Sequence, residues 1–129
     1  MPLVTLTLRD AGAPGVARRM LDEVHAALVA AGVPAADRFQ RVLELSTAST
    51  VIDPRYPDLA RDRSDRFALV EVLWSVGRSV KIKRKVAADI AAGVARAGSL
   101  EPDDVMVVFV ETAWENWAFA GGRLLHAEK

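Results

Sequence analysis

Apolar residues alternate through Val4, Leu6 and Leu8, then recur at helical spacing through Val16, Met20, Leu21, Val24, Leu28 and Ala31, and return in a strand-like run from Phe39 to Leu45. The order is strand, helix, strand. The punctuation predicts the helix ends: Pro14 occupies the first turn, Gly32 takes the left-handed position after the last, and Pro34 prevents continuation. The pattern then repeats. Phe67 to Val76 is a strongly apolar strand, Ser79 caps a helix running to about Ala97 and closed by Gly98, and Val105 to Val110 is a buried strand. Laid on each other, the halves match Leu3 with Leu69, Gly32 with Gly98 and Asp37 with Asp104. The expectation is one domain over 1–129, with pseudo-repeats at about 2–46 and 66–111.

Each crossover contains a helix, so each repeat predicts a parallel strand pair with a right-handed connection. Two such units predict an α+β fold: a four-stranded sheet with both helices on one face. The other face stays uncovered, yet Leu69, Leu73, Val108 and Val110 help make the second-half strands apolar on both sides. That face is expected to meet another subunit. The stretch 46–66 has no sustained period and reads as a long connection, while Trp114, Trp117 and Phe119, followed by Gly121 and Gly122, predict an aromatic hairpin or arm over 112–129.

Composition narrows the function classes. With 129 residues, 51% of them hydrophobic, the chain is long enough to bury a core. Seventeen Lys and Arg balance seventeen Asp and Glu, so the electrostatic footprint of a nucleic-acid binder is missing. The chain lacks cysteine and has two histidines, His25 and His126, which argues against a thiolate or metal site and for no cofactor. No basic leader or membrane-length apolar run is visible, so the expectation is a soluble cytoplasmic protein without a membrane partner.

Candidate chemistry begins at Pro2. A start methionine before so small a residue is normally removed, which would leave a proline with a free secondary amine just ahead of the first strand. An α-amino group titrates near pH 8, about where a general acid or base works, and nearby cations lower that value further. Arg78 supplies a second candidate. It lies between a strand end and a helix start, where free amides, the helix dipole and a guanidinium fork together favour an anion. Lys81, Lys83, Arg84 and Lys85 read more simply as a solvated face. Asp37 reads structurally as a turn residue or a partner of Arg38, His25 as an edge-of-stripe histidine, and Trp114, Trp117 and Phe119 as core or interface aromatics.

Taken together, the chain resembles the tautomerase superfamily, in its malonate semialdehyde decarboxylase-like and cis-3-chloroacrylic acid dehalogenase-like branch. The resemblance is carried by Pro2-Leu3-Val4, Gly32-Val33-Pro34 with Asp37-Arg38-Phe39-Gln40, and Asp53-Pro54 with Tyr56. It continues through Arg63-Ser64-Asp65, Gly77-Arg78-Ser79 with Lys83, and Glu115-Asn116-Trp117-Ala118-Phe119 followed by Gly122. It implies a homotrimer with sheets facing inward. It also implies Pro2 as general acid or base, Arg78 holding the carboxylate of a small keto, enol or unsaturated acid, and Trp117 and Phe119 walling the pocket. Asp37 matches a position that activates water in decarboxylase relatives, and His25 a helix histidine that contacts substrate in dehalogenase relatives.

The chain departs from that pattern at three places. A second arginine tends to precede the Arg78 position, but Ser75 and Val76 stand here. The usual acidic and amide residues after that segment are replaced by Lys81 and Ile82, and the glycine usual after the Trp-x-Phe motif is Ala120. The leading expectation is a tautomerase acting on a small carboxylate-bearing keto or enol compound. Decarboxylation, hydration or dehalogenation of a three-carbon acid is the second, and a non-catalytic trimer that binds ligands or partners is the third.

Overall fold

The structure, a computed structural model, describes residues 2–10 and 12–126; Met1, and with it the expected removal, lies outside them. Strand β1 (Leu3–Arg9) leads into helix α1 (Val16–Ala30) and β2 (Phe39–Leu45). The second unit is β3 (Ala68–Ser75), α2 (Val80–Gly98) and β4 (Val105–Thr112), followed by the short strands β5 (Ala118–Ala120) and β6 (Arg123–Leu124). The sheet order is β2-β1-β3-β4. Strands β1 and β2 run parallel from Leu3 opposite Phe39, β3 and β4 run parallel from Ala68 opposite Val105, and the two units join antiparallel with Leu3 opposite Leu73. The expected four-stranded α+β sheet is therefore mixed, with parallel pairs inside each unit.

Alternation sorts the two faces. Val4, Leu6 and Leu8 of β1 and Val70, Val72 and Trp74 of β3 pack with Met20, Val24 and Leu28 of α1 and with Val86, Ile90 and Val94 of α2. Each such side chain, once fully buried, stabilises the fold by roughly 1.5–3 kcal/mol relative to exposure. The opposite face carries Leu3, Phe39, Leu43, Leu69, Leu73, Met106 and Val110, with Glu71 and a hydrogen bond from Arg41 to Thr5 Oγ1 crossing its middle. Phe39, Leu43, Met106 and Val110 are 44–48% exposed there, so the chain leaves apolar area unspent.

Two helix ends differ from expectation. Gly15, left-handed at φ 86°, is the N-cap of α1, so Pro14 lies outside the helix. Gly32 does take the left-handed position, at φ 105°. Gly98 is the last residue of α2, and Ser99 makes the left-handed turn at φ 56°. Packing explains the glycine: a Cβ on Gly98 would fall 2.1 Å from Met20 Cε.

Gly93 is a stricter constraint despite the longer distance, because a Cβ there would sit 2.8 Å from Glu23 Cβ, where no flexible tip can yield. An exposed helical Gly→Ala change gains about 1 kcal/mol from propensity. Here the overpacking cost of about 1–3 kcal/mol outweighs it. Gly93→Ala is expected to lower the unfolding free energy by about 1 kcal/mol in urea titrations; a gain would mean that α1 and α2 are not held at this approach.

The long connection is built by specific polar groups. Asp53 accepts from the backbone N–H of Arg55 and Tyr56, which together hold its carboxyl below the usual carboxylate range. Arg63 donates to the carbonyls of Asp53, Tyr56 and Asp103. Buried Asp104 accepts from Ser64 N at 2.6 Å and Glu101 N at 3.2 Å, which makes it a structural residue despite its formal match with Asp37.

Candidate active site

A cleft of about 870 Å³ opens where the α1–β2 loop, the β3–α2 turn and the β5–β6 hairpin converge. Asp37 comes from the first, Arg78 from the second, and Phe119, Arg123 and His126 from the third, with Phe39 at the start of β2 and Trp114 after β4 also in the wall. The convergence follows from topology. The parallel pairing of β1 with β2 sets the start of β2, and the loop ahead of it, beside the start of β1. Antiparallel β3 returns its end to the same place, and β4 ends alongside.

Arg78 is fixed rather than solvated. Its Nη1 donates to Ser75 O at 2.6 Å, and its guanidinium lies 4.4 Å from the Trp74 ring centroid and 5.9 Å from that of Trp114. Trp74 is itself buried and stacked on Phe109 at 5.0 Å, giving the cation a rigid floor. Burial lowers the Arg78 pKa, opposed first by Glu111 and then by Asp37. The guanidinium remains charged and retains donors for an incoming oxyanion. Directly after it, Ser79 caps α2 by accepting from Ile82 N, so the positive end of the helix dipole points the same way.

The aromatic wall is a chain of contacts. Phe119 packs on Phe39 at 5.5 Å and stacks on Trp117 at 5.5 Å and 10°. Trp114 donates to Val76 O at 3.1 Å and meets His126 edge-on at 5.1 Å, tying the strap after β4 to the turn that carries Arg78.

The expected site residues divide accordingly. Asp37, Arg78 and Phe119 line the cleft, and Trp117 backs Phe119 from behind. Asp37 lies close enough to Arg78 to influence its charge, whereas Arg38 pairs with Asp22 at 2.5 Å instead of with Asp37. His25 does not line the cleft: its Nε2 donates to Ala35 O at 2.9 Å, bracing the loop two residues before Asp37. Pro2 is buried one residue ahead of β1 and is not among the lining residues. Of the basic run, Lys83 pairs with Glu111 at 3.0 Å and Lys85 with Asp89 at 2.6 Å.

Sequence reasoning missed Phe39, Arg123 and His126 as cleft residues, and took Trp114 for core or interface. The available signal was Gly121-Gly122, whose φ values of 63° and 72° suit a tight hairpin that folds the following residues back. A smaller cavity of about 320 Å³, between residues 61–64 and 101–104, belongs to the Arg63 and Asp104 network.

The family described as Tautomerase enzyme matches residues 37–120, well over half of the chain. The chain belongs to the tautomerase family. Among solved structures, this tautomerase-family protein is similar to FG41 malonate semialdehyde decarboxylase inhibited by 3-bromopropiolate, at 28% identity and TM-score 0.86, over 95% of this chain and 92% of that one. It is similar to wild-type, mutant and inactivated malonate semialdehyde decarboxylase, solved as a basis for decarboxylase and hydratase activities, at 30% identity and TM-score 0.84, over 95% and 93%. It shares its fold with a fused 4-OT symmetric trimer at 21% identity and TM-score 0.79, over 95% and 94%. No curated protein matches the chain. No described helix is long and apolar enough to cross a membrane, and no described cluster of three or more His, Asp or Glu side chains is arranged to hold a metal ion.

Proposed function

We propose that this tautomerase-family protein interconverts the keto and enol forms of a small carboxylate, with Pro2 as the amino-terminal base and Arg78 as the anion contact. The observation that carries the reading is Arg78: a desolvated cation fixed on Trp74, facing a largely apolar cleft, just after the end of β3, which finishes alongside the start of β1. In such a site the neutral Pro2 nitrogen takes the substrate proton. Arg78 then holds the carboxylate and stabilises the charge that develops on the adjoining oxygen. The assembly is a homotrimer of this chain whose open sheet faces meet. The half-exposed apolar residues of that face support it, as does the trimeric state of the fused 4-OT with the same fold.

Asp37 in the same cleft favours a second reading, decarboxylation or hydration of a three-carbon acid. There Pro2 is a cationic acid and Asp37 orients water. Cleft size supports the first reading, since about 870 Å³ with Phe39, Trp114, Phe119 and two leucines in its wall is more than three carbons fill. The assay is a direct comparison of phenylenolpyruvate ketonisation with carbon dioxide release from malonate semialdehyde. The proposal expects the first to have the higher kcat/KM. Efficient decarboxylation with no ketonisation above buffer replaces it with the second reading.

A further inference from the structure

The hairpin after β4 brings a second guanidinium to the cleft, and the reading above does not use it. Arg123, the first residue of β6, lines the same cavity as Arg78. None of its guanidinium donors is taken by a hydrogen bond or an ion pair among the described residues. The cations Lys83 and Lys85 of α2 differ, for they pair with Glu111 and Asp89. Asp37, the one carboxylate among the described residues lining the cleft, already acts on Arg78.

The hairpin builds Arg123 into that wall. Gly121 has φ 63°, and a Cβ on it would fall 2.9 Å from Arg123 Nη1, so the glycine leaves the room into which the guanidinium turns back. Phe119, on the strand paired with β6, packs on Phe39 at 5.5 Å and ties the hairpin to the start of β2. Arg78 comes from a different element, the β3–α2 turn. The charges that move its pKa are Glu111 and Asp37 and do not include Arg123, as for two cations set apart. Two separate guanidinium forks in one largely apolar cleft suit a ligand with an oxyanion at each end and a hydrocarbon stretch between them.

We propose that Arg123 is a specificity-determining residue that binds a second carboxylate, so that the substrate is a dicarboxylate with its keto or enol end on Arg78 and its far end on Arg123. The proposal rests on the keto–enol reading of the site and names the class of compound which that reading leaves open. Arg123 touches only the non-reacting end, so its contact is the same in the bound substrate and in the transition state. It should therefore appear in KM and not in kcat. Because Arg123 is exposed, the contact is expected to be worth about tenfold, the lower end for a charge-assisted bond.

The test follows exchange of the hydrogens beside the keto group of 2-oxo acids in deuterium oxide by proton NMR, using the full chain. The substrates are 2-oxoglutarate against 2-oxopentanoate, 2-oxoadipate against 2-oxohexanoate, and 2-oxopimelate against 2-oxoheptanoate, each pair equal in length and differing in the far carboxylate. Phenylpyruvate is the control for the underlying reading. In at least one pair the dicarboxylate is expected to have the higher kcat/KM by about tenfold, through a lower KM. Arg123→Gln should bring that ratio close to one, and Arg123→Lys should keep part of it. Arg123 is exposed, so neither variant threatens the fold. Exchange without a dicarboxylate preference in any pair, or a preference that persists in Arg123→Gln, overturns the role of Arg123 alone. No exchange of any compound, phenylpyruvate included, overturns the keto–enol reading and this proposal with it.

Discussion

Arg78→Ala is expected to lower kcat/KM for a small carboxylate enol by about 10³-fold while leaving the melting temperature within a few degrees of the parent. The asymmetry follows from where Arg78 spends its contacts. One Nη donates to Ser75 O, and the guanidinium plane rests on Trp74, itself held by Phe109. These contacts aim the side chain without burying it deeply, and its desolvation is a cost that alanine removes. What alanine cannot replace is a fixed cation in an apolar cleft, where an oxyanion interacts more strongly than in water. Arg78→Lys retains the charge but loses the planar fork and its fit on the indole, so it should recover only part of the loss. Steady-state kinetics paired with thermal unfolding check both halves. Unchanged kcat/KM in Arg78→Ala removes Arg78 from the site, and a collapse of the melting temperature would make it a structural residue.

The sequence pattern reached the frame of this site more readily than its walls. Gly32 and Pro34 announced the loop that brings Asp37 to the cleft, and Ser79 announced the helix start beside Arg78, because caps and breakers act locally. The open face was legible too, since Leu69 and Leu73 alternate with the core residues Val70, Val72 and Trp74. Arg123 and His126 were not, because they reach the cleft through a hairpin reversal that periodicity cannot trace to a destination. Gly98 misled for a related reason: its small size serves a contact with Met20, 78 residues away in sequence, while Ser99 makes the turn. The Ser75 hydroxyl, buried without a hydrogen-bond partner among the described residues, stands out only once burial is known, for in sequence it is one more strand-end serine.

A chain that carries any residue ahead of Pro2 is expected to lose kcat/KM by at least about 10³-fold, whereas Pro2→Ala at a free amino terminus should lose about 10²-fold. The difference lies in the nitrogen. An added residue converts it to an amide with no basic lone pair, which ends proton transfer whatever the fit of the substrate. Alanine in first position keeps an amine, but a primary one, without the ring that fixes its direction from a buried start to β1. The pH profile supplies an independent sign. As a base, Pro2 must be neutral, so kcat/KM should rise with pH through the Pro2 midpoint and level off above it. A profile that falls with rising pH through the same midpoint would instead assign Pro2 the cationic, acid role of the decarboxylase reading. Intact mass establishes which amino terminus each preparation has. A chain confirmed to keep a residue before Pro2 yet fully active would exclude proline catalysis altogether, leaving Arg78, Asp37 and the aromatic wall to bind a ligand whose chemistry lies elsewhere.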